Sequence, residues 1–321
     1  MEMKKLWHNI SVSILSGLIW MLSLLPLRLL YLVSDITWLV MYLCPPLRYR
    51  RRIVWKNLKG SFPEKTDREL HGIERRFYRQ FLDQIFEMFK SASMSGAWMG
   101  RHMRFEGIEL IEKEFAKGHS MIMYLGHTGN WEWISSLPLH VPAELGTCCQ
   151  VYHPLHSSVT DSVMLWLRGQ YGAESIALKR VYRRLLEMKK SGKPFIVGMI
   201  SDQVPLYWDT HYWGTFMNRY TPFMTGSELL AKKMGLTTCY GHLTRERRGH
   251  YVVKIVPMFG ADENPEENVM TERYVQLLED NIRESPHLWL WTHNRWKRTW
   301  EGYKSWLMNE LKSNRRDSEK E

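Results

Sequence analysis

The sequence predicts an α/β protein, a sheet flanked by helices, with an apolar helix at its N-terminus. Short apolar runs alternate with amphipathic segments from residue 108 to residue 282. Residues 6–27 contain no Lys, Arg, Asp or Glu, and 44% of the 321 residues are hydrophobic, enough for a sizeable core. We therefore expect a membrane anchor with an interfacial helix in residues 1–47, one large domain in residues 48–312, and a polar, disordered tail in residues 313–321.

The N-terminal region predicts attachment to a membrane. As a helix, residues 6–27 would be about 33 Å long, which is enough to cross a hydrocarbon core. A second apolar stretch, residues 29–47, contains Asp35, so we expect it to lie in the interface or to pack on the large domain rather than to span. The protein would then be single-pass or peripheral. A secretory signal is the alternative, but no small-residue cleavage site is obvious.

Positive charge accompanies these apolar stretches. The basic residues of the first sixty are Lys4, Lys5, Arg28, Arg48, Arg50, Arg51, Arg52, Lys56 and Lys59. Such a cluster beside an anchor attracts anionic lipid and favours the cytoplasmic face, although a solvated basic loop would have the same composition. Over the whole chain, the net charge of +10 points to an anionic partner, and fifteen Trp, fifteen Tyr and nineteen Met favour lipid over nucleic acid.

Periodicity predicts the remaining elements. Residues 57–90 have a helical pattern in which apolar side chains recur every four residues, at Ile73, Phe77, Phe81, Ile85 and Phe89. Further helices are predicted at residues 108–117, 131–139, 158–171, 181–190, 223–234 and 266–282. Strands are predicted at residues 119–125, 195–200, 236–243 and 251–257. This alternation indicates a sheet with helices on its faces.

Residues 126–132, which read Gly-His-Thr-Gly-Asn-Trp-Glu, follow the first predicted strand and carry the strongest candidate site. If the glycines form a turn and Asn130 caps the next helix, Glu132 lies in the first helical turn and can fold back toward His127. A carboxylate beside an imidazole fixes its tautomer and stabilises the imidazolium, so the pair suits general-base chemistry. A capped helix beside a surface histidine is the structural alternative.

Asp202 and Gln203 directly follow the predicted strand at residues 195–200. Active groups of open α/β sheets gather at the carboxyl ends of strands, although Asp202 could also be a loop cap. The chain contains no Gly-x-Ser-x-Gly elbow, no His-Glu-x-x-His pattern and no phosphate-binding glycine loop, so we expect neither an acyl-serine intermediate nor a metal nor a nucleotide. The cysteines lack metal or redox spacing and are expected to be core thiols: Cys44, Cys148, Cys149 and Cys239. A disulfide between Cys239 and either Cys148 or Cys149 is the alternative.

Five tryptophans near the C-terminus alternate with basic residues: Trp289, Trp291, Trp296, Trp300 and Trp306. We expect an interfacial belt or a wall of an apolar ligand pocket. A nucleic-acid stacking strip and ordinary core tryptophans with solvated charges are the alternatives.

The motif at residues 126–132 resembles the His-x4-Glu/Asp signature of the lysophospholipid acyltransferase superfamily, and its Gly-Asn-Trp-Glu ending resembles the bacterial late acyltransferases of lipid A biosynthesis. The resemblance covers about residues 50–300. Other segments similar to family motifs are Asn57-Leu58, Ser61-Phe62-Pro63-Glu64, Asp202-Gln203, Phe223-x-x-Gly226-x-x-x-Leu230-Ala231, Pro286-x-x-Trp289 and Trp291-x-His293-x-Arg295-x-Lys297.

Two segments depart from the family pattern. Tyr152-His153-Pro154-Leu155-His156-Ser157 stands where the family has Tyr-Arg-Pro-Leu-x-Asn, and Tyr212-Trp213-Gly214 with Tyr220 stands where it has Phe-Phe-Gly followed by Ala. These departures leave the reaction class intact but leave the acceptor and the acyl-chain length open.

The resemblance implies an acyltransferase with a lysophospholipid-acyltransferase-like sheet, held at the cell inner membrane with its catalytic domain on the cytoplasmic side. His127 would deprotonate a hydroxyl of a lipid A precursor, and Glu132 would orient His127. The freed oxygen would attack the thioester of an acidic acyl carrier protein or of acyl-CoA, with no further cofactor. Arg168 is the implied candidate for a phosphate or oxyanion contact, with a helix-face ion pair as its alternative role.

Further substrate-binding or oxyanion candidates are Asp202, Gln203 and Asn130. Two other functions stay open from the sequence. One is an acyltransferase for another hydroxylated lipid, such as an amino-acid lipid or a glycolipid. The other is a non-catalytic, lipid-binding membrane protein.

Overall fold

The computed structural model describes residues 2–44, 47 and 49–318, so Arg48 of the basic cluster lies outside the described residues. The helices are α1 (Glu2–Ser23), α2 (Leu27–Leu43), α3 (Arg51–Ser61), α4 (Asp67–Lys90), α5 (Gly96–His102), α6 (Ile108–Ala116), α7 (Ser158–Arg168), α8 (Val181–Lys190), α9 (Gly226–Met234), α10 (Val269–Glu284) and α11 (Trp300–Ser318). The strands are β1 (Met103–Glu106), β2 (Met121–Leu125), β3 (Thr147–Tyr152), β4 (Glu174–Ala177), β5 (Phe195–Ile200), β6 (Tyr212–Phe216), β7 (Arg219–Phe223), β8 (Thr237–Arg247) and β9 (His250–Phe259). Short 3-10 helices lie at Ser91–Ser93, Trp131–Leu139, Leu178–Arg180 and Tyr207–Asp209.

Within the described residues, seven strands form one sheet in the order β1-β9-β8-β2-β5-β3-β4, and β6 pairs with β7 as a separate antiparallel hairpin. All neighbours in the large sheet are parallel except β8 and β9. The predicted α/β class is confirmed. A mostly parallel sheet is stable because helices cover both of its faces, and β2 is accordingly buried along its whole length.

The central strands divide the core into two layers. Ile122 and Tyr124 of β2 point into the layer formed with α4, α9 and α10, whereas Met121 and Met123 point into the layer formed with α5 and α6. All four cysteines are free, and Cys148, Cys149 and Cys239 are buried in these layers, as expected for core thiols. Cys44 is only half-buried and lies outside both layers, so it is not a core thiol. This rigid centre holds the carboxyl ends of β2 and β5 in place.

Helices α1 and α2 pack on the large domain by one side only. Ile19 of α1 packs with Val163 and Leu167 of α7, and Tyr31 of α2 is buried against α4. Packing on the domain is one of the two arrangements predicted for the second apolar stretch. In the described part of the chain, one helix, Met3–Ser23, is long and apolar enough to cross a membrane.

The outward sides of these two helices are apolar and exposed. The exposed side chains are Met3, Leu6, Trp7, Ile10, Ile14, Leu18, Trp20 and Met21 on α1, with Leu29, Leu32, Val33, Ile36, Leu39, Val40 and Leu43 on α2. We call this set the apolar N-terminal face. Soluble proteins seldom expose so large a continuous apolar surface without a partner.

The helical pattern predicted for residues 57–90 is two helices in the structure. Helix α3 ends at Ser61 before Pro63, and α4 begins after Thr66, whose side chain forms a capping box with Glu69. Ile73 and Phe77 of the predicted apolar stripe are buried, but farther along α4 most of the buried positions are polar, and they include Gln80, Asp83 and Glu87.

Several elements differ from the sequence prediction. Strands β1, β3, β4, β6 and β7 were not predicted, because runs of four to six residues without clear alternation carry little periodic signal. Helix α11 extends through residues 313–318, which the sequence predicts as a disordered tail, and residues 319–321 lie outside the described residues. The predicted helix at residues 131–139 has those bounds but is a 3-10 helix.

Candidate active site

The register between β2 and β5 brings the two central site residues together. Leu125 lies opposite Ile200 in this parallel pair, so His127 and Asp202, each two residues farther along, leave the sheet side by side. Both follow the carboxyl end of a central strand, where open α/β sheets bind their ligands. The sequence prediction for Asp202 therefore agrees with its location in the structure.

Asp202 binds His127 at two points. Its Oδ1 is 2.5 Å from the imidazole Nδ1, and its Oδ2 accepts the main-chain N–H of His127 at 2.8 Å. The indole Nε1–H of Trp289 donates to the same Oδ2 at 2.7 Å. Burial raises the pKa of the Asp202 carboxyl, but the charge of His127 and these hydrogen bonds outweigh burial and lower it to about 2.

An ionised Asp202 determines which imidazole nitrogen can act as a base. Because the carboxylate only accepts hydrogen bonds, the neutral ring carries its proton on Nδ1 and has a lone pair on Nε2. The side-chain amide of Gln203 lies 3.3 Å from Nε2. The His127 side chain is 18% exposed and that of Asp202 is 2% exposed, so the imidazole is partly open to solvent while the carboxylate is shielded.

Glu132 does not bind the imidazole. Its carboxylate forms a bidentate ion pair with Arg168, with distances of 2.7 Å from both Nε and Nη2, and also accepts the Trp131 indole N–H at 3.2 Å. Among the described residues, no hydrogen bond joins Glu132 to His127. The expectation that Glu132 orients His127 is therefore corrected: the orienting carboxylate is Asp202. The Arg168 guanidinium, at the end of α7, makes two hydrogen bonds to the Glu132 carboxylate and so holds it toward α7.

Arg168 thus has the ion pair that was considered as its alternative role. Burial opposes the charged form of this guanidinium, but Glu132 outweighs burial and raises the pKa of Arg168. The ring of Trp131 connects the two pairs, because it packs edge-on against the His127 imidazole at 5.0 Å between ring centroids and donates to Glu132. The Glu132–Arg168 pair therefore lies one side chain away from the base.

The turn between β2 and the 3-10 helix needs its glycines. A Cβ at Gly126 would overlap Leu278, and Gly129 has a φ of +56° with Leu243 against it. Asn130 is the N-cap, as predicted: its side chain accepts the Trp133 main-chain N–H. Asn130 is fully buried, so its amide supports the turn and does not face a substrate.

The segment of residues 286–297 closes over this turn. The main chains of Thr128 and Trp289 form an antiparallel bridge, and Leu290 N–H donates to the His127 carbonyl at 3.0 Å. Asn57 of α3 donates its amide to the carbonyls of Trp291 and His293, both at 2.9 Å. The early and closing family-like motifs therefore meet at the site, where they hold Trp289 against Asp202.

The sequence assigned no role to His293 or Arg295, and in the structure burial lowers the pKa of both side chains. Burial lowers the pKa of His293 to about 4, and its Nε2 accepts the Val204 N–H at 3.2 Å, just beyond Gln203. The Arg295 guanidinium is fully buried, and its Nε and Nη1 have no hydrogen-bond partner in the described part of the chain. Burial lowers the pKa of Arg295 to about 10, while the negative charge of Asp202 acts in the opposite direction.

The C-terminal tryptophans separate into two groups. Trp289, Trp291 and Trp296 are buried in the core, which contradicts the expected interfacial belt for these three and matches the core alternative. Trp300 and Trp306 are half-buried. Trp300 packs edge-on against Tyr220 of the hairpin, and Trp306 stacks on Tyr207 in the loop after Asp202. Only Trp300 and Trp306 lie at the surface. The spacing of the tryptophans along the chain therefore does not show which of them are core residues.

A model of the bacterial lipid A biosynthesis acyltransferase family matches residues 3–298, nearly the whole chain. The chain belongs to this family. The resemblance stated from its motifs is thereby confirmed, and the protein is an acyltransferase of lipid A biosynthesis. A search of curated proteins found no match.

The family match includes every segment that forms the site described above. His127 lies after β2, Asp202 after β5, and Trp289 in the closing segment, and all three are within the matched residues. Among the described residues, no group of three His, Cys, Asp or Glu side chains could hold a metal ion. The site is a histidine backed by a buried carboxylate, with an arginine–glutamate pair beside it.

Proposed function

We propose that this protein is a late acyltransferase that moves a fatty acyl chain from an acyl carrier protein thioester to a hydroxyl of a lipid A precursor. The observation that carries this proposal is the His127–Asp202 pair, which leaves Nε2 as the basic nitrogen of a partly exposed imidazole at the carboxyl edge of the sheet. An imidazole held in this way by a carboxylate is the usual general base of acyl transfer.

In the proposed reaction, Nε2 of His127 takes the proton of the acceptor hydroxyl as its oxygen attacks the thioester carbonyl carbon. A tetrahedral intermediate forms, and its collapse breaks the carbon–sulfur bond. The imidazolium then gives its proton to the departing thiolate, so the products are an ester and a free thiol. Asp202 stabilises the imidazolium between these two proton transfers, which is the state with the largest positive charge on the ring.

The intermediate carries a negative oxygen that needs donors. Two groups near the base are suited to this role: the Gln203 amide, 3.3 Å from Nε2, and the guanidinium of Arg168. Glu132 engages Nε and Nη2 of Arg168, which fixes the plane of the guanidinium and directs its remaining donors. In this proposal, Glu132 acts through Arg168 instead of through His127.

Two surfaces support the proposed partners. The carboxyl edge of β4 continues into Lys179 and Arg180, which are exposed and form no ion pair within the described residues. A basic segment at the same carboxyl edge of the sheet as His127 suits an acidic carrier protein. The apolar N-terminal face, with exposed cations that include Lys4, Lys5 and Arg28, suits the cytoplasmic side of the inner membrane, with α1 as a single-pass or peripheral anchor.

The test is acyl transfer by the full-length purified protein, measured by mass spectrometry of the lipid product with acyl carrier protein thioester and a lipid A precursor. We expect His127→Ala to reduce kcat by at least about 10³-fold. The control is His119→Ala, a histidine before the start of the same strand that is hydrogen-bonded to Glu114. Full activity of His127→Ala would refute the proposal.

The same assay distinguishes the alternatives. Replacing the carrier-protein thioester with acyl-CoA identifies the donor. Transfer to an amino-acid lipid or a glycolipid, without transfer to the lipid A precursor, would favour the other acyltransferase function. Binding of lipid without transfer to any hydroxylated acceptor would favour a non-catalytic role.

A further inference from the structure

We propose that Glu87 is a positioning residue that connects helix α2 of the apolar N-terminal face to the active-site turn. The inference rests on the proposed function, since it concerns how His127 is held for the reaction. Glu87 lies near the end of α4, outside the family-like motifs seen in the sequence, and it touches no group that would react.

The carboxylate of Glu87 is a buried junction of three hydrogen bonds. Its Oε1 accepts the Tyr31 hydroxyl at 2.6 Å, and its Oε2 accepts the Asn130 amide at 2.9 Å and the Tyr251 hydroxyl at 2.8 Å. Its main-chain carbonyl also accepts the Trp133 indole N–H at 3.1 Å. A fully buried carboxylate is costly unless donors surround it, so these partners and Glu87 fix one another's positions.

One end of this junction is the turn that carries His127. Asn130 is the N-cap of the 3-10 helix, and its two polar atoms are both engaged: the oxygen accepts from Trp133 and the amide donates to Glu87. Rotation of the Asn130 side chain would release the cap and the backbone three residues after His127. Small displacements of a general base have large effects on rate, because proton transfer requires close alignment.

The other end is the helix with the exposed apolar side. Tyr31 and Ser34 are on the buried face of α2, whereas Leu32 and Val33 are on its exposed face. The chain of contacts from α2 to the turn therefore has only two steps, from Tyr31 to Glu87 and from Glu87 to Asn130. Glu87 holds Asn130, the N-cap of the active-site turn. A helix that served only as an anchor would not need the hydrogen bond from Tyr31 to Glu87.

Helix α2 also supplies a matched control. The Ser34 hydroxyl donates to Asp83 at 2.8 Å, a second buried bond between α2 and α4 that lies one turn from the Tyr31 bond and does not involve Glu87. Tyr31→Phe and Ser34→Ala each delete one hydroxyl and one α2–α4 hydrogen bond to a carboxylate. Their costs in stability should be similar, so a difference in catalysis reports the connection through Glu87.

The experiment measures kcat, KM for the acceptor and melting temperature for Tyr31→Phe, Ser34→Ala, Glu87→Gln and Tyr31→Phe/Glu87→Gln in full-length protein. We expect Tyr31→Phe to lower kcat about fivefold to tenfold, with KM changed less than about twofold, and Ser34→Ala to leave both within about twofold. Glu87→Gln should lower kcat further, since its amide presents a donor to groups that are already donors. Adding Tyr31→Phe to Glu87→Gln should then change kcat less than about twofold.

Equal kcat values for Tyr31→Phe and Ser34→Ala would overturn the proposal, as would an effect of Tyr31→Phe on KM alone. If Glu87→Gln fails to fold, the comparison of Tyr31→Phe with Ser34→Ala decides the question by itself. Failure of the proposed function is a separate result, because it would appear as an inactive wild type or as an active His127→Ala.

Discussion

Asp202 binds His127 through both the imidazole Nδ1 and the main-chain N–H, at 2.5 Å and 2.8 Å, although 75 residues separate the two in the chain. One carboxylate therefore determines the orientation of the ring and the position of its backbone. Glu132, five residues from His127, is instead paired with Arg168. The roles of the Asp202 and Glu132 carboxylates can therefore be distinguished by experiment.

Asp202→Asn should reduce kcat far more than Glu132→Gln. The asparagine amide can donate to Nδ1 and so favour the tautomer with its proton on Nε2, which cannot act as a base. We expect a loss of about 10³-fold to 10⁴-fold in kcat. Glu132→Gln keeps a hydrogen bond to Arg168 and should cost about tenfold to 100-fold. Steady-state kinetics at saturating acceptor measures both, and a larger loss for Glu132→Gln would contradict the assignment of the orienting carboxylate.

Trp289→Phe should lower kcat about tenfold. The change removes the indole donor to Oδ2 of Asp202 and leaves that buried carboxylate with one fewer hydrogen bond. Trp291→Phe is the matched control. It also removes a buried indole N–H, but that group donates to the neutral Pro286 carbonyl at 2.6 Å. Melting temperatures should fall for both variants, while kcat of Trp291→Phe should stay within about twofold of wild type. Similar losses of kcat would show that the tryptophans act through packing alone.

Stability should decrease as pH falls from about 6.5 toward 4. Burial lowers the pKa of His293 to about 4, and His287 has the same shift from the same main cause. Between these pH values the unfolded chain binds protons that the folded chain does not, so the free energy of unfolding falls with pH. His293→Gln should reduce this dependence in calorimetric melts, whereas His156→Gln, at an exposed position, should not. An unchanged slope in His293→Gln would contradict a neutral, buried His293.

Leu32→Asp together with Ile36→Asp should weaken binding to anionic lipid vesicles by at least about tenfold, because both side chains belong to the apolar N-terminal face. Leu229→Asp on α9 is a matched control, since Leu229 is 55% exposed and Leu32 is 56% exposed. Vesicle co-sedimentation measures the binding, and melting temperatures check that all variants fold. Equal loss of binding in the α2 and α9 variants would argue against a specific membrane-facing side.

By itself, the sequence determined the α/β class, the glycine turn with its Asn130 cap, and the placement of Asp202 at the end of a strand. These follow from local rules: strand periodicity, the need for glycine at a crowded turn, and the capping of a helix start. It also identified the family through motifs that lie in single short segments. Helices also lie where periodicity predicts them at residues 108–117, 158–171 and 181–190, whereas the pattern at residues 57–90 is divided into two helices before Thr66.

Only the tertiary structure decided which carboxylate serves His127. The pairing of β2 with β5 places Asp202 beside the ring, and α7 brings Arg168 to Glu132, and neither distance can be obtained from spacing along the chain. For a similar reason, the sequence did not predict the polar side chains on the buried face of α4. Glu87 is satisfied by partners from α2, β9 and the active-site turn, so its burial depends on segments that meet only after folding.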